Sequence, residues 1–363
     1  MKRMVLKTPA KINLALDVVG KRADGYHTLE TVFQTVSLYD TITVTLFPHR
    51  TGEQAIRILC NIPWIPKDER NIAWKAVDLF LKKTGCPVGF DIYLQKYIPS
   101  QAGLGGGSSD AAAVLYACNQ LTGAGLSHAE LCEMGLQLGA DVPFFFYGGT
   151  AYAAGIGEEI QPLPYLGDVS VVLAKGKGGI STAAAYAAMD ALQNPPHPNV
   201  PEMKQRLQAY AEPKDLAPLC GNLFAEVTEL PIVQKLQQEM LARGAFASLM
   251  TGSGSAGCSP RKNLLANAVR LCGRLFRLWH SARRFRILFM QYNFLNSKRT
   301  FPKRGFRECS FFCFQIENRK TKKIIEMANR IFHFVIYFLE KVWYDSIWFI
   351  RLHESTISCW ITN

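Results

Sequence analysis

From Lys11 to Val18 the apolar residues Ile12, Leu14, Leu16 and Val18 alternate with Lys11, Asn13, Ala15 and Asp17. This period of two predicts a half-buried strand whose polar face carries Lys11 and Asn13 together. Thr41–Phe47 (TITVTLF) and the segment FDIYLQK at 90–96 alternate in the same way, and the latter runs to Pro99, which has no N–H for a sheet ladder. Between them Ile72, Ala76, Leu79 and Phe80 recur at helical spacing over residues 71–83, with Gly85 as a stop. The Asp24–Gly25 turn signal places Tyr26 and His27 just beyond a loop.

The strand before Pro99 leads into the glycine-rich segment GLGGGSSD at Gly103–Asp110, and then into AAAVLYACNQL, a strong helix former stopped by Gly123. Ser108 or Ser109 is the expected N-cap, and Asp110 suits the positive end of the helix. Ser127–Glu130 reads as a capping box opening a helix that ends at Gly139. The apolar run Phe144–Tyr147 reads as a strand, so Asp141 falls in a helix-to-strand turn. Glycines 148, 149, 155 and 157 mark the end of a first domain. Beyond them the pattern predicts a strand over Val169–Ala174, helical segments through the Pro-rich stretch 195–201, a helix over Pro231–Ala242 and a second glycine loop, TGSGSA, at 251–256. Strands and helices in this order indicate an α+β protein of two domains, 1–157 and 158–256.

Length agrees, since 363 residues exceed what one core usually serves and 48% apolar residues suffice for two. A net charge of +12 spread along the chain would suggest a polyanionic partner. It is concentrated instead. Residues 257–363 hold 20 of the 41 Lys and Arg but 6 of the 29 Asp and Glu, leaving that tail at +14 and the remainder at −2. The tail also holds 13 of the 22 Phe and three of the 28 Gly, so two compositions are joined. The start lacks a signal-peptide pattern, which makes the cytoplasm the expected location. The apolar run Ile331–Leu339 is broken by Glu340 and Lys341, short of the roughly 18 residues of a membrane helix, so no membrane partner is expected. Cys60, Cys86, Cys118, Cys132 and Cys220 show no paired spacing, as reduced thiols do not need one.

A helix N-terminus exposes N–H groups with a partial positive charge, and glycines there let the backbone wrap a phosphate. GLGGGSS is suited to that contact. No Lys follows its last glycine, which excludes a Walker A loop, and the third glycine of a dinucleotide fingerprint would fall on Ser108. A flexible linker is the bland alternative.

Four ordered segments are recognisable: Pro9 to Leu14 (PAKINL), Arg22 to His27 (RADGYH), Pro99 to Asp110, and Leu138 to Pro143 (LGADVP). Together they resemble the signature segments of the 4-diphosphocytidyl-2-C-methyl-D-erythritol kinase family, a branch of the GHMP kinases, over residues 1–256. The resemblance implies a two-domain GHMP kinase fold, with an N-terminal domain like ribosomal protein S5 and a ferredoxin-like C-terminal domain. It implies transfer of the γ-phosphoryl group of ATP, accompanied by Mg²⁺, to the 2-hydroxyl of a cytidine-diphosphate-linked methylerythritol in the non-mevalonate route to isoprenoids. Asp141 matches the catalytic aspartate that takes the hydroxyl proton, and Lys11 its partner lysine. Pro99, Ser100, Gln101, Ala102, Gly103, Leu104, Gly105, Gly106, Gly107, Ser108 and Ser109 match the ATP loop, with Lys96 before it as a further nucleotide contact. Asn13 matches a substrate-contacting asparagine, and Tyr26 and His27 the pair that grips cytosine. Ser181 and Thr182 match the segment on the substrate's phosphate side, with Tyr186 as a second stacking wall. A solvated strand lysine, a turn-forming aspartate or a loop histidine is the alternative for each residue alone. No protein metal site is expected, because Cys309 and Cys313 have no ligand pair beside them. The expected assembly is a monomer or weak homodimer, with no nucleic acid bound.

After Ala256 the family continues with an apolar strand, whereas this chain reads Gly257-Cys258-Ser259-Pro260-Arg261-Lys262. Glycine, proline and two cations are expected not to supply that central strand at all. The expectation is therefore an incomplete second domain and a reading-frame shift near Ala256. The rival is a genuine basic segment: KRTFPKRGFR at 298–307 mixes cations with aromatics as nucleic-acid or anionic-membrane contacts do. Sister GHMP kinases acting on mevalonate, homoserine or galactose, and an inactive kinase body with a binding tail, remain as alternative functions.

Overall fold

A computed structural model describes residues 2–166, 169–175, 182–228, 231–252, 256–261, 346–351 and 358–362. Residues 1–262 with 344–363 form one unit, and 263–343 a second that lies outside the described residues, along with the 298–307 segment, Cys309 and Cys313. The first unit opens with β1 (Arg3–Lys21), β2 (His27–Phe47) and β3 (Ile56–Cys60), then α1 (Ile72–Thr84), β4 (Gly89–Gln95), α2 (Gly106–Thr122), α3 (His128–Leu138), α4 (Phe144–Tyr147), β5 (Thr150–Ala154) and β6 (Glu159–Leu163). There follow β7 (Ser170–Lys175), α5 (Thr182–Met189), α6 (Val200–Gln208), β8 (Gly221–Asn222), α7 (Pro231–Ala242), β9 (Leu249–Met250) and β10 (Ala256–Arg261). Two tail strands, β11 (Ser346–Arg351) and β12 (Ser358–Thr362), close the series.

One mixed sheet runs β12-β1-β2-β4-β3, with β5 and β6 branching from β2 and β8 pairing with β1. The second sheet runs β11-β7-β10-β9. β1 and β2 form a long antiparallel hairpin from Arg3↔Thr45 to Lys21↔His27, with register shifts between Pro9 and Ala10 and between Asn13 and Ala15. Such irregularities re-aim side chains, and these two bracket Lys11 and Asn13. Helices α1 and α2 cover one part of the sheet, burying Val77, Phe80, Val114 and Leu115 against Ile42, Val44 and Ile92. A second core joins Ile12 and Leu14 to Leu104, Val171 and Leu249, so β1 spans both sheets' cores.

The periodicity located most elements. Asn71 caps α1 by accepting from Ala73 N, Gly85 closes it in the left-handed region, and the capping box of Ser127 and Glu130 opens α3. Four expectations change. β1 is buried on both faces, with Lys11 at 3% and Asn13 at 0% exposure, because the loops at 103–105 and 251–252 cover the face that alternation marked as polar. Phe144–Tyr147 is a short helix: a four-residue apolar run carries no decisive period, and Pro143 enters in the helical region at φ −57°. α2 begins at Gly106 with Gly105 as its N-cap, so neither Ser108 nor Ser109 caps it. Finally, Ala256–Arg261 does form a strand, pairing with β7 along its whole length and with β9 at Gly257 and Cys258. Ladder hydrogen bonds belong to the backbone, and β9 ends before Pro260, where a missing N–H has an unladdered flank to face. β11 pairs with the other side of β7, which leaves β11 and β9 as the outer strands of this sheet. No described helix is long and apolar enough to cross a membrane.

Candidate active site

α2 begins where the chain turns through two left-handed glycines, Gly103 at φ +72° and Gly105 at φ +67°. Both are obligatory for space as well as conformation. A Cβ on Gly105 would lie 2.8 Å from Phe145 Cζ and 2.9 Å from Lys11 Cγ. One on Gly103 would lie 2.0 Å from the Thr251 carbonyl oxygen. With no side chain capping α2, the first intrahelical bond is Ser109 N to Gly105 O at 2.9 Å. The N–H groups of Gly106, Gly107 and Ser108 are thus left without helical acceptors, as at any helix start, and are available to an anion. Ser109 Oγ is buried with no hydrogen-bond partner, so the first turn holds an unmet polar group as well. Ser100 and Gln101 are exposed in the turn after Pro99, while Ala102 and Leu104 are buried beneath it.

Beside this helix end, Lys11 Nζ lies 3.3 Å from Asp141 Oδ2, donates to Asn13 Oδ1 at 3.0 Å and sits 4.8 Å from the centroid of the Phe33 ring. Lys11 N donates to Leu104 O at 2.9 Å, which fastens the strand to the glycine loop. Asp141 lies between α3 and α4 with its side chain 36% exposed, whereas that of Lys11 is 4% exposed. A sealed ammonium therefore holds an accessible carboxylate beside an open helix N-terminus.

Asn13 is committed inside this site. Its Oδ1 accepts from Lys11 Nζ and from Gly252 N at 3.0 Å, and its Nδ2 donates to Thr31 Oγ1 at 2.8 Å. Asn13 N donates to Thr251 Oγ1 at 3.1 Å. Asn13 thus positions Lys11 and ties the second glycine loop to the first, where Gly252 packs against Gly103.

His27 and Tyr186 stack on each other, ring centroids 4.5 Å apart at 13°, and Tyr186 meets Phe224 edge-on. His27 Nε2 lies 2.6 Å from Asp190 Oδ1, and Lys21 also pairs with Asp190, which lowers the Asp190 pKa through those two contacts. Burial raises the Tyr186 phenol pKa, and the nearby Asp141 carboxylate adds to the rise. Tyr26 stands 63% exposed outside the stack, so the structure pairs His27 with Tyr186 rather than with Tyr26. Thr182 opens α5, and Ser181 lies outside the described residues.

Lys96 differs from a nucleotide-facing lysine. Its Nζ is buried 2.5 Å from Asp40 Oδ2 and 2.5 Å from Asp110 Oδ2, and reaches Gly106 O at 3.4 Å. Burial alone would lower the pKa of Lys96, but the two carboxylates reverse the sign and raise it. Burial pushes Asp110 up to about 7 against the pull of Lys96. Asp40, Asp190 and Thr251 escaped the sequence reading. Thr251 carried a signal, since it starts the second glycine loop, whereas Asp40 and Asp190 stand in no motif.

A glycine loop opening a buried helix, a two-sheet α+β body and a lysine–aspartate pair agree with the GHMP kinase class that the sequence motifs resemble. A family model described as GHMP kinases N terminal domain matches residues 71–149. A 4-diphosphocytidyl-2-C-methyl-D-erythritol kinase of Geobacter sp. (strain M21) is 42% identical over 257 residues, 70% of this chain and 88% of the relative. One from Geobacillus thermodenitrificans is 44% identical, covering 69% and 86%. The chain belongs to the 4-diphosphocytidyl-2-C-methyl-D-erythritol kinase family. A solved 4-(cytidine 5'-diphospho)-2C-methyl-D-erythritol kinase shares its fold at a TM-score of 0.59 and 34% identity, over 76% of this chain and 96% of that one. The L. major mevalonate kinase in complex with R-mevalonate, at a TM-score of 0.57, 17% identity and 75% and 90% coverage, shares the fold alone.

Proposed function

We propose that this chain transfers the γ-phosphoryl group of ATP to the 2-hydroxyl of 4-diphosphocytidyl-2-C-methyl-D-erythritol, in the non-mevalonate route to isoprenoid precursors. The observation that carries this reading is the 3.3 Å Lys11–Asp141 pair beside the uncapped start of α2. Phosphoryl transfer asks for positioning, charge neutralisation and a proton acceptor. The N–H groups of Gly106, Gly107 and Ser108 hold the phosphates. Asp141 accepts the hydroxyl proton, the acceptor oxygen bonds to the γ-phosphorus, and the bond to the β-phosphate oxygen breaks to release ADP. Lys11 keeps Asp141 ionised and stabilises charge on the attacking oxygen.

Among the described residues no three His, Cys, Asp or Glu side chains converge as a metal cage. Mg²⁺ would be carried in on ATP by phosphate and water ligands and would supply charge neutralisation. Tyr26, His27 and Tyr186 are assigned to the cytosine end, and Ser181 and Thr182 to the phosphate side. Asn13 acts on the acceptor through Lys11. In this reading residues 1–157 bind nucleotide, 158–256 complete the acceptor side, and 257–363 replace the family's ending through a frameshift, which intact mass and an independent gene sequence test. The enzyme works in the cytoplasm as a monomer or weak homodimer, without nucleic acid or membrane. ADP release with the cytidine diphosphate substrate, for wild type, Asp141→Asn and Lys11→Met, tests the whole; variants matching wild type would remove the assignment.

A further inference from the structure

The buried cluster beneath the glycine loop ties both of its ends. On the incoming side, Asp40 Oδ1 accepts from Tyr97 N at 2.5 Å and Ile98 N at 2.9 Å, the residues just before Pro99. Its other oxygen holds Lys96 Nζ. On the outgoing side Lys96 Nζ holds Asp110 in the first turns of α2, and Thr8 Oγ1 donates to the other Asp110 oxygen at 3.3 Å. A Cβ on Gly106 would lie 2.9 Å from Ile98 Cγ2, so the two ends of the loop are in contact over the cluster. Asp40 is 0%, Asp110 3% and Lys96 8% exposed, which leaves these charges only one another for neutralisation.

We infer that Asp40 is a positioning residue for nucleotide binding: through Lys96 and the Tyr97 and Ile98 amides it fixes the span of the glycine loop, so that the α2 N–H groups converge on a triphosphate. The inference rests on the reading that this loop holds ATP. Asp40 is fully buried and acts through its neighbours. Two buried carboxylates sharing one ammonium are an expensive arrangement for stability alone, since burial penalises each charge and an apolar trio of similar volume often does as well. What the arrangement supplies is a rigid connection across a loop whose glycines otherwise give it freedom. A loop held at one end only would still bind, with part of the ordering free energy charged to the ligand.

The test is steady-state kinetics of Asp40→Asn, which keeps the shape and the acceptor for the two amides and removes the charge that anchors Lys96. A rise in the KM for ATP of about tenfold or more, with kcat at saturating ATP within about threefold of wild type and the KM for the cytidine substrate unchanged, is expected of a group that acts on nucleotide binding alone. Asp110→Asn, which keeps an acceptor for Lys96 and Thr8, serves as the milder second variant and moves the same constant in the same direction. An unchanged KM for ATP, or an equal loss in both KM values and kcat, overturns the inference. So does unfolding of both variants in a thermal melt, since the cluster would then be structural. Wild type that releases no ADP with the cytidine substrate and binds no MgATP instead refutes the functional reading beneath it.

Discussion

Two lysine–aspartate arrangements flank the same glycine loop, and they differ in everything except residue type. Lys11 meets a single carboxylate at 3.3 Å, and that carboxylate, Asp141, is 36% exposed. Lys96 meets two carboxylates at 2.5 Å each, both sealed from solvent. The first leaves an oxygen able to take a proton from an incoming hydroxyl. The second is buried, with two carboxylates sharing one ammonium, and is not accessible to a ligand directly. Burial and stoichiometry, rather than the identity of the side chains, divide chemistry from scaffolding here.

Exchanging each lysine for methionine breaks the comparison most sharply. Lys96→Met leaves two buried carboxylates without a cation and should lower stability by about 3–5 kcal/mol, read as a denaturant midpoint. Lys11→Met should instead lower turnover by about 10²–10⁴-fold while the fold survives, because its partner can be solvated. If the two variants lost stability alike, the distinction between the pairs would fail.

Adjacent glycines give a finer cut. Gly105→Ala forces a side chain into the left-handed region and against Lys11 and Phe145, at a conformational cost of about 1–3 kcal/mol. It should reduce kcat by displacing Lys11. Gly106→Ala meets Ile98 and faces Lys96 Nζ at 3.4 Å, on the sealed side, and should act chiefly on the KM for ATP. Rate and KM changes that do not separate in this way would contradict the assignment of one glycine to each pair.

The smallest effect is a pH dependence. The carboxyl of Asp110 is raised from 3.8 to about 7 by burial, so the folded state holds its proton more tightly than the unfolded chain. Its contribution to stability is complete below the unfolded value and is lost as pH rises through that window towards about 7. The difference in melting temperature between wild type and Asp110→Asn should therefore shift against wild type between about pH 4 and pH 7, and a constant difference would show that Asp110 does not titrate there.

Alternation and capping chemistry were sufficient to locate β4, α1, α3 and α7, because burial on one face and the local demands of helix ends leave their mark on neighbouring residues. The glycine loop was legible for the same reason: Gly103 and Gly105 answer a backbone requirement written into a few consecutive residues. Phe144–Tyr147 was misread because four apolar residues have no period, and Ala256–Arg261 because a strand recruited by a neighbour's backbone needs little of its own composition.

The sequence by itself determined where a glycine loop opens α2, which of the longer segments are helical, and through its four motifs which family the chain joins. Tertiary structure alone decided the roles of the two lysines. Lys11 falls on the polar phase of its alternating strand and Lys96 in phase with Phe90, Ile92 and Leu94, but neither phase names the carboxylates that each meets. Asp141 reaches Lys11, and Asp40 and Asp110 reach Lys96, only when the sheet and α2 are assembled. The same holds for His27 of β2 and Tyr186 of α5, which stack although far apart in the chain. A one-dimensional pattern records burial and backbone conformation, which are local, whereas charge pairing depends on which distant groups the fold brings within a few ångströms.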